Sequence, residues 1–209
     1  MLAIDATLVD VTRIISGAAG SLTLEVPKSG TRPTSDRVRE AIFSSLEAMD
    51  ALDGARVLDL YAGSGALGLE AASRGATTVV LVENDVNAAM VCKRNAKKVQ
   101  SAVESNPSAH NRLLVEVAKS SVKSYLSAER RSWDIIFADP PYELSEVELG
   151  ETLNLAVRHA AADAILIVER SSRSPEPRWP DGLSKIREKR YGETLVWQAR
   201  TTSESRIQK

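Results

Sequence analysis

Asp139-Pro140-Pro141-Tyr142 follows the apolar run Ile135-Ile136-Phe137-Ala138, and the types of these four residues limit what they can do. Proline fixes φ and restricts the residue before it, so an Asp-Pro-Pro turn is stiff. Neither proline carries an N–H, which leaves a carboxylate and backbone carbonyls as acceptors with few competing donors. Such a turn suits a group that donates two hydrogen bonds. The exocyclic NH2 of adenine, cytosine or guanine does so; a phosphate or carboxylate does not. Two acceptors gripping that amine would turn its lone pair towards an electrophilic methyl group, and catalysis would then be in-line positioning and charge stabilisation without a strong base. Tyr142 would stack on the base, an interaction worth about 1–3 kcal/mol. A base inside a helix or folded loop must first be swung out of its stack. Asp139, Pro140 and Tyr142 are thus the candidate catalytic residues, with Pro141 in substrate contact.

A second constellation supplies a partner. The run from Val57 to Gly68 places Gly63, Gly65 and Gly68 in the pattern G-x-G-x-x-G, directly after a strand and at the start of a helix. Glycines there let backbone approach a ligand closely, and Glu83, twenty residues after Gly63, ends the next strand where a carboxylate can accept from ribose hydroxyls. Loop and acid together say nucleoside cofactor, and suit NAD and S-adenosylmethionine alike. Asp59 tips the choice modestly: at the end of the first strand its carboxylate would repel a pyrophosphate and favour a sulfonium or amino group. The plainer alternatives are that Asp59 only caps the loop and that the glycines only make a turn.

The elements that must position these residues alternate strand and helix from Ala55 onward. The expected order is strand 56–61, helix 66–73, strand 78–83, helix 87–100, strand 113–117, helix 122–126, strand 133–139, helix 146–160 and strand 164–169. Continuous apolar strands such as Thr78 to Val82 suit a parallel sheet covered on both faces. Ahead of them, Val38, Ile42, Leu46 and Met49 lie at helical spacing over 34–49, with Thr34 or Ser35 as N-cap. The β-prone segments 12–15 and 22–26 around Gly17 and Gly20 read as a hairpin, either a flap over the substrate or padding for the core. After Pro175, Pro177 and Pro180, the segments 183–191 and 194–200 flank Gly192 as a closing antiparallel hairpin. The fold class is therefore α/β: a doubly wound, mainly parallel Rossmann-like sheet of the class I methyltransferase kind, with a C-terminal antiparallel hairpin and a small N-terminal hairpin extension. We expect the extension over 1–30 and the cofactor domain over 31–209.

Composition narrows the class further. The chain has 209 residues, 43% hydrophobic, enough for one substantial core. No stretch is apolar enough to cross a bilayer, and Asp5 and Asp10 stand where a signal peptide would need a basic start, so a cytoplasmic protein without membrane contact is expected. One cysteine, Cys92, and two histidines, His110 and His159, fit neither a disulfide framework nor a metal site. A net charge of −1 argues weakly against nucleic acid, but from Arg170 to the C-terminus ten Lys/Arg stand against five Asp/Glu, whereas residues 1–50 hold five against seven. Any basic surface is local.

With these residues in hand, nearly the whole chain resembles the RsmD family, bacterial methyltransferases that modify N2 of a guanine in 16S ribosomal RNA. The resemblance rests on Arg13-Ile14-Ile15-Ser16-Gly17, on Arg32-Pro33-Thr34-Ser35-Asp36-Arg37-Val38-Arg39-Glu40, on the run Leu60 to Glu70, and on Asp139-Pro140-Pro141-Tyr142. The Arg-Pro-Thr segment is the most diagnostic, because the other two motifs recur in DNA amino-methyltransferases. The resemblance implies S-adenosylmethionine as cofactor and 16S rRNA or a small-subunit assembly particle as partner for a monomeric enzyme. It places Asp59, Gly63 and Gly65 at the methionine end of the cofactor, Glu83 at the ribose and Ser121 or Val122 at the adenine, with Ala62 and Asn84 also among the cofactor-binding residues. Asp139, Pro140 and Tyr142 would hold the guanine, and Arg32, Thr34 and Arg37 would form a wall over the site. Two positions depart from the family: the hairpin reads Ala19-Gly20-Ser21-Leu22-Thr23 where an Arg-Gly-Arg-like stretch is usual, and position 121 is Ser where Asp or Asn is common. The first removes the phosphate contacts expected of the flap.

Three rivals remain. A DNA amino-methyltransferase would use the same residues, but no target-recognition insertion is visible. A cytosine-C5 variant of it would need a cysteine nucleophile, and Cys92 lies mid-helix, far before Asp139. An NAD-dependent oxidoreductase lacks a proton-transfer residue near the loop and leaves Asp-Pro-Pro-Tyr unexplained. A non-catalytic RNA-binding assembly factor would tolerate loss of Asp139.

Overall fold

Alternation along the strands sends successive side chains to two separate cores. In Thr78–Glu83, Val79 and Leu81 pack on one face of the sheet and Val80 and Val82 on the other, and the same division holds for Ile135 and Phe137 against Ile136 and Ala138. A computed structural model describes residues 12–27, 35–107 and 112–202. Its elements are β1 (Thr12–Arg13), β2 (Thr23–Leu24), α1 (Asp36–Glu47), β3 (Arg56–Leu60), α2 (Ala66–Ser73), β4 (Thr78–Glu83), α3 (Val86–Glu104), β5 (Leu114–Lys119), α4 (Val122–Ala128), β6 (Trp133–Ala138), α5 (Glu146–Ala156), β7 (Ala160–Ser171), β8 (Leu183–Tyr191) and β9 (Thr194–Thr201). The main sheet has the order β5-β4-β3-β6-β7-β9-β8. Strands β3 to β7 pair in parallel, and β9 and β8 close the sheet antiparallel, as expected.

Helices α1, α2 and α3 cover the first face, where Phe43 packs on Phe137 with ring centroids 5.8 Å apart, and α4 and α5 cover the second. The strand order reverses between β3 and β6. This is the switch point at whose carboxyl edge open α/β sheets bind ligands.

Helix starts follow their caps. Ser35, Asp85, Ser121 and Ser145 each accept a bond from a backbone N–H three residues on, and Glu148 completes a capping box with Ser145. Several boundaries differ from expectation. Of the two N-cap candidates Ser35 does the capping, and α1 stops at Glu47. Helix α3 runs on to Glu104. Helix α5 stops at Ala156 and passes through a short 3-10 turn into a strand that begins at Ala160, not Ala164. Ala160-Ala161-Ala162 favours helix locally. Pairing of Ala160 with Trp133, through an irregularity where Asp163 takes φ 61°, overrides it. Finally, β3 ends at Leu60, because Tyr61 turns to φ 63°.

The N-terminal hairpin pads the core; its turn does not overhang the carboxyl edge. Ile14, Ala19 and Leu24 are buried in the first core. The turn docks on the C-terminal end of α2: Ala18 N–H donates to Ser73 O at 2.7 Å and Ala19 N–H to Ser73 Oγ at 2.9 Å. A Cβ on Gly17, at φ 85°, would lie 2.0 Å from Ser73 O, so only glycine permits this approach. The buried Glu70 carboxylate accepts from Ile15 and Ser16 N–H, at 2.7 and 3.0 Å, and from Arg74 Nε at 2.7 Å.

Candidate active site

The carboxyl ends of four adjacent strands bring the candidate residues into one row. Ser121 follows β5, Glu83 ends β4, Ala62 to Gly65 follow β3, and Asp139 follows β6. Neighbouring strands lie about 4.8 Å apart, so Ser121 and Asp139 mark the ends of a row of roughly 14 Å.

The glycine loop is held from below and from the side. Ala62 N–H donates to Val82 O at 2.9 Å, tying the loop to β4. Gly63 N–H donates to Glu83 Oε2 at 2.8 Å, while Glu83 Oε1 accepts from Asp85 N–H at 2.7 Å. The three glycines have different reasons to be glycine. Gly63 takes φ 57° and a Cβ there would meet nothing within 4 Å, so its side faces open space. Gly65 takes φ 84°, and a Cβ would touch Cys92 Sγ and Leu69 Cδ1 at 3.1 Å. Gly68 sits inside α2, where a Cβ would lie 2.3 Å from Leu81 Cδ2. Backbone geometry, close approach and helix-to-strand packing are thus divided among them.

Asp59 lies beneath this loop, 1% exposed, with Oδ2 accepting from Gly68 N–H at 2.9 Å. The structure gives it the capping task that was the plainer expectation. Burial, with smaller contributions from the charges of Asp139 and Glu83 against the Gly68 bond, pushes its carboxyl up to about 8. Three carboxyl groups, Asp59, Glu83 and Asp139, therefore converge on one end of the sheet, where the charges of Asp139 and Glu83 help to keep Asp59 protonated. That end favours a cationic ligand. Cys92 is buried against Gly65, and burial pushes its thiol up, away from nucleophilic use.

Beyond β6, Asp139 is half-buried, Pro140 buried, Pro141 half-buried and Tyr142 59% exposed. The expectation offered the backbone carbonyls of this turn as acceptors with few competing donors. Pro141 O is instead committed, accepting from Leu144 N–H at 3.0 Å and from Arg170 Nη1 at 3.3 Å. Arg170, on β7 and almost wholly buried, also donates through Nη2 to Leu144 O and Glu146 Oε1, both at 2.7 Å. One guanidinium thus braces the far side of the whole turn. Tyr61, between β3 and the glycine loop, is tied to α5 instead: its hydroxyl pairs with Thr152 at 3.0 Å while its backbone takes the left-handed φ of 63° that aromatic residues rarely adopt.

The remaining candidates fall as follows. Ser121 caps α4, its hydroxyl accepting from Ser124 N–H at 3.2 Å and donating to Ser124 Oγ at 2.8 Å; Val122 is buried at the start of that helix. Asn84 is exposed beside Glu83. Arg37 is exposed in the first turn of α1. Arg32 and Thr34, together with His110, lie outside the described residues. Arg170 and Tyr61 had not been recognised as part of the site; the one available signal was a charged residue at the end of the apolar strand Ile165 to Val168.

The model of the family described as conserved hypothetical protein 95 matches residues 12–200, which takes in the glycine loop, Glu83 and Asp-Pro-Pro-Tyr. Ribosomal RNA small subunit methyltransferase D of Escherichia coli is 36% identical over 184 residues, 87% of this chain and 85% of that protein. The chain belongs to the RsmD family. Within it, the protein of the same name from Haemophilus influenzae is 31% identical over 183 residues, 86% of this chain and 89% of that one. Among solved structures, the Escherichia coli protein YhhF superposes with a TM-score of 0.78 at 32% identity, covering 93% of this chain and 99% of its own. A hypothetical protein of a Thermus species gives 0.74 at 29% identity, covering 90% and 98%. For this RsmD-family chain the similarity includes the β7-β9-β8 end of the sheet, which the match to residue 200 spans.

Proposed function

We propose that this protein transfers the methyl group of S-adenosylmethionine to the exocyclic amine of a ribosomal RNA base, guanine N2 of the small subunit's 16S rRNA. The observation that carries the reading is the stiff Asp139-Pro140-Pro141-Tyr142 turn one strand away from a glycine loop whose neighbour strand ends in Glu83. Relatives named for ribosomal RNA methylation supply the substrate class.

The residues present fit the cofactor. The open space beside Gly63 accepts a ligand that any side chain there would displace, Glu83 offers a carboxylate to ribose hydroxyls, and the acidic end of the sheet complements a sulfonium and an amino group. When bound, the cofactor supplies an electrophilic methyl group. Gly63 and Gly65 let the backbone approach it, while Ser121 and Val122 border the adenine end. Asp139 and the Pro140 carbonyl accept the two amine hydrogens and aim the nitrogen lone pair. Tyr142, exposed, stacks on the swung-out base. Forming the N–CH3 bond would break the cofactor's S–CH3 bond and leave S-adenosylhomocysteine, and the methylated nitrogen would shed its extra proton to solvent, so no buried strong base is needed.

The test is radiolabelled methyl transfer to 16S rRNA, small-subunit particles and duplex DNA in parallel, with nucleoside analysis of the product. N2-methylguanosine from rRNA is expected. Methyladenine or methylcytosine would overturn the guanine assignment, and transfer to DNA alone would overturn the RNA reading. Asp139→Ala should slow transfer by about 10²–10³-fold while S-adenosylhomocysteine binding persists; undiminished transfer in that variant would refute the mechanism.

A further inference from the structure

Residues 183–201, which hold the closing hairpin, carry five Lys/Arg (Lys185, Arg187, Lys189, Arg190, Arg200) against two Asp/Glu (Glu188, Glu193), in a chain whose net charge is −1. Strand β8 is the last strand of the sheet, and Ser184 to Arg190 are exposed along it. Its charges are not evenly compensated. Lys185, near the start of β8, lies between Glu176 and Glu188, at 2.5 and 3.2 Å. In the second half, Arg187 donates to Ser45 Oγ at 2.7 Å, Lys189 lies 5.3 Å from the centre of the Tyr191 ring, and Arg190 donates to Gly192 O and Ser172 Oγ, both at 3.1 Å. Those partners are neutral, so the positive charge stays available.

Register fixes where this half-strand lies. Ala138 pairs with Val168, so Asp139 is level with Glu169; Glu169 pairs with Val196, and Val196 with Lys189. By the same chain Arg190 is level with Pro140. Both cations therefore stand at the height of the Asp-Pro-Pro-Tyr turn, three strands across, about 14 Å away at ordinary strand spacing. Between β8 and α1 lies a small cleft lined by Ala41, Ser45, Arg187, Lys189 and Tyr191. One turn before Ala41, on the same stripe of α1, is the exposed Arg37, a cation at the helix end whose dipole attracts anions. The facing carboxylates are few. Asp36 is taken by Arg39 at 2.7 Å, Glu193 lies 3.8 Å from Arg173, and Glu40 is exposed on α1.

We propose that the second half of β8, with the first turn of α1, holds the phosphate backbone of the RNA whose base enters the Asp139 site. The inference rests on the RNA reading given above. It also answers how RNA is gripped by a chain whose N-terminal hairpin turn carries no arginine and docks away from the carboxyl edge. Lysines on an edge strand also discourage edge-to-edge pairing. That role would be served anywhere along β8, whereas the uncompensated cations gather at the catalytic height.

Salt dependence of binding separates the two roles. The double variant K189Q/R190Q should flatten the slope of log affinity against log salt for 16S rRNA by about 0.7–0.9 per contact removed. It should also raise KM for rRNA about tenfold, with S-adenosylhomocysteine affinity and unfolding midpoint unchanged. K185Q, at the compensated end, should leave the slope and activity as they are. An unchanged slope in K189Q/R190Q, or an equal fall in K185Q, overturns the surface while wild-type methylation of rRNA stands. If the wild type transfers no methyl group to rRNA, the reading beneath the proposal fails, and the proposal with it.

Discussion

Gly63 and Gly68 stand five residues apart in one motif, yet alanine at each should fail in a different way. At Gly68 the new methyl would lie 2.3 Å from Leu81 Cδ2, 3.0 Å from Val79 Cγ1 and 3.2 Å from Asp59 Cβ. All three neighbours are buried, so none can retreat into solvent. Overpacking of this kind costs about 1–3 kcal/mol, and a 2.3 Å approach belongs at the upper end. Alanine regains about 1 kcal/mol over glycine inside a helix. The net expectation for Gly68→Ala is a loss of about 2 kcal/mol of stability, with S-adenosylhomocysteine affinity within about threefold of wild type once folded. Gly63→Ala meets nothing within 4 Å, so only the left-handed φ of 57° penalises it, by about 1 kcal/mol. Its methyl enters the space assigned to the cofactor, and affinity should fall at least tenfold, about 1.4 kcal/mol. Guanidinium unfolding and titration calorimetry on both proteins measure the two quantities. Wild-type affinity in Gly63→Ala, or full stability with abolished binding in Gly68→Ala, would refute this division of labour.

Other perturbations test the supports of the site. Arg170→Met keeps the stem and removes the head; losing a charged bond to Leu144 O costs about 1.5–3 kcal/mol, and the half-exposed Glu146 pair adds little. Because that head braces the Asp-Pro-Pro-Tyr turn, kcat should fall about tenfold with cofactor affinity intact, and wild-type kcat would show the brace to be purely structural. Glu70→Gln leaves an amide facing three donors in a buried site, and breaking such a pair costs about 3 kcal/mol; a shift below about 1 kcal/mol in urea unfolding would contradict the hairpin's dependence on it. For Asp59 the pH sign follows from its raised carboxyl. Between about pH 4 and 8 the folded chain keeps a proton that the unfolded chain has lost, so stability falls as pH rises through that window. Asp59→Asn should flatten the decline relative to wild type, and parallel stability-pH curves for the two proteins would count against the assignment.

The order of the elements was legible because each strand of the parallel sheet is a short apolar run bounded by turn residues, and most of the helices open on a Ser or Asp cap. Boundaries failed where pairing overruled local preference. Ala160 to Ala162 read as helix because alanine favours it, and only the position of Trp133 on the neighbouring strand makes it strand. The hairpin's place was not legible either. What decides it is Ser73 and Glu70, more than fifty residues away, whose capture of the turn's backbone N–H groups has no local signature.

The site divides along the same line. Gly63, Glu83 and Asp139 act through backbone conformation and side-chain type at a strand end, which a motif can carry. Arg170 braces Asp-Pro-Pro-Tyr from β7, and Tyr61 ties the start of the glycine loop to Thr152 of α5, by bonds that exist only once the sheet has formed. A charged residue after Ile165 to Val168 could have belonged to any solvated strand end. Its meaning comes from the carbonyls of Pro141 and Leu144, which the two prolines turn towards it. The rigidity that makes Asp-Pro-Pro-Tyr readable as a substrate clamp is therefore half local, fixed by proline, and half tertiary, fixed by a buried guanidinium. If both halves are needed, Arg170→Met combined with Asp139→Ala should be no slower than Asp139→Ala alone, because a braced turn without its acceptor has nothing left to aim.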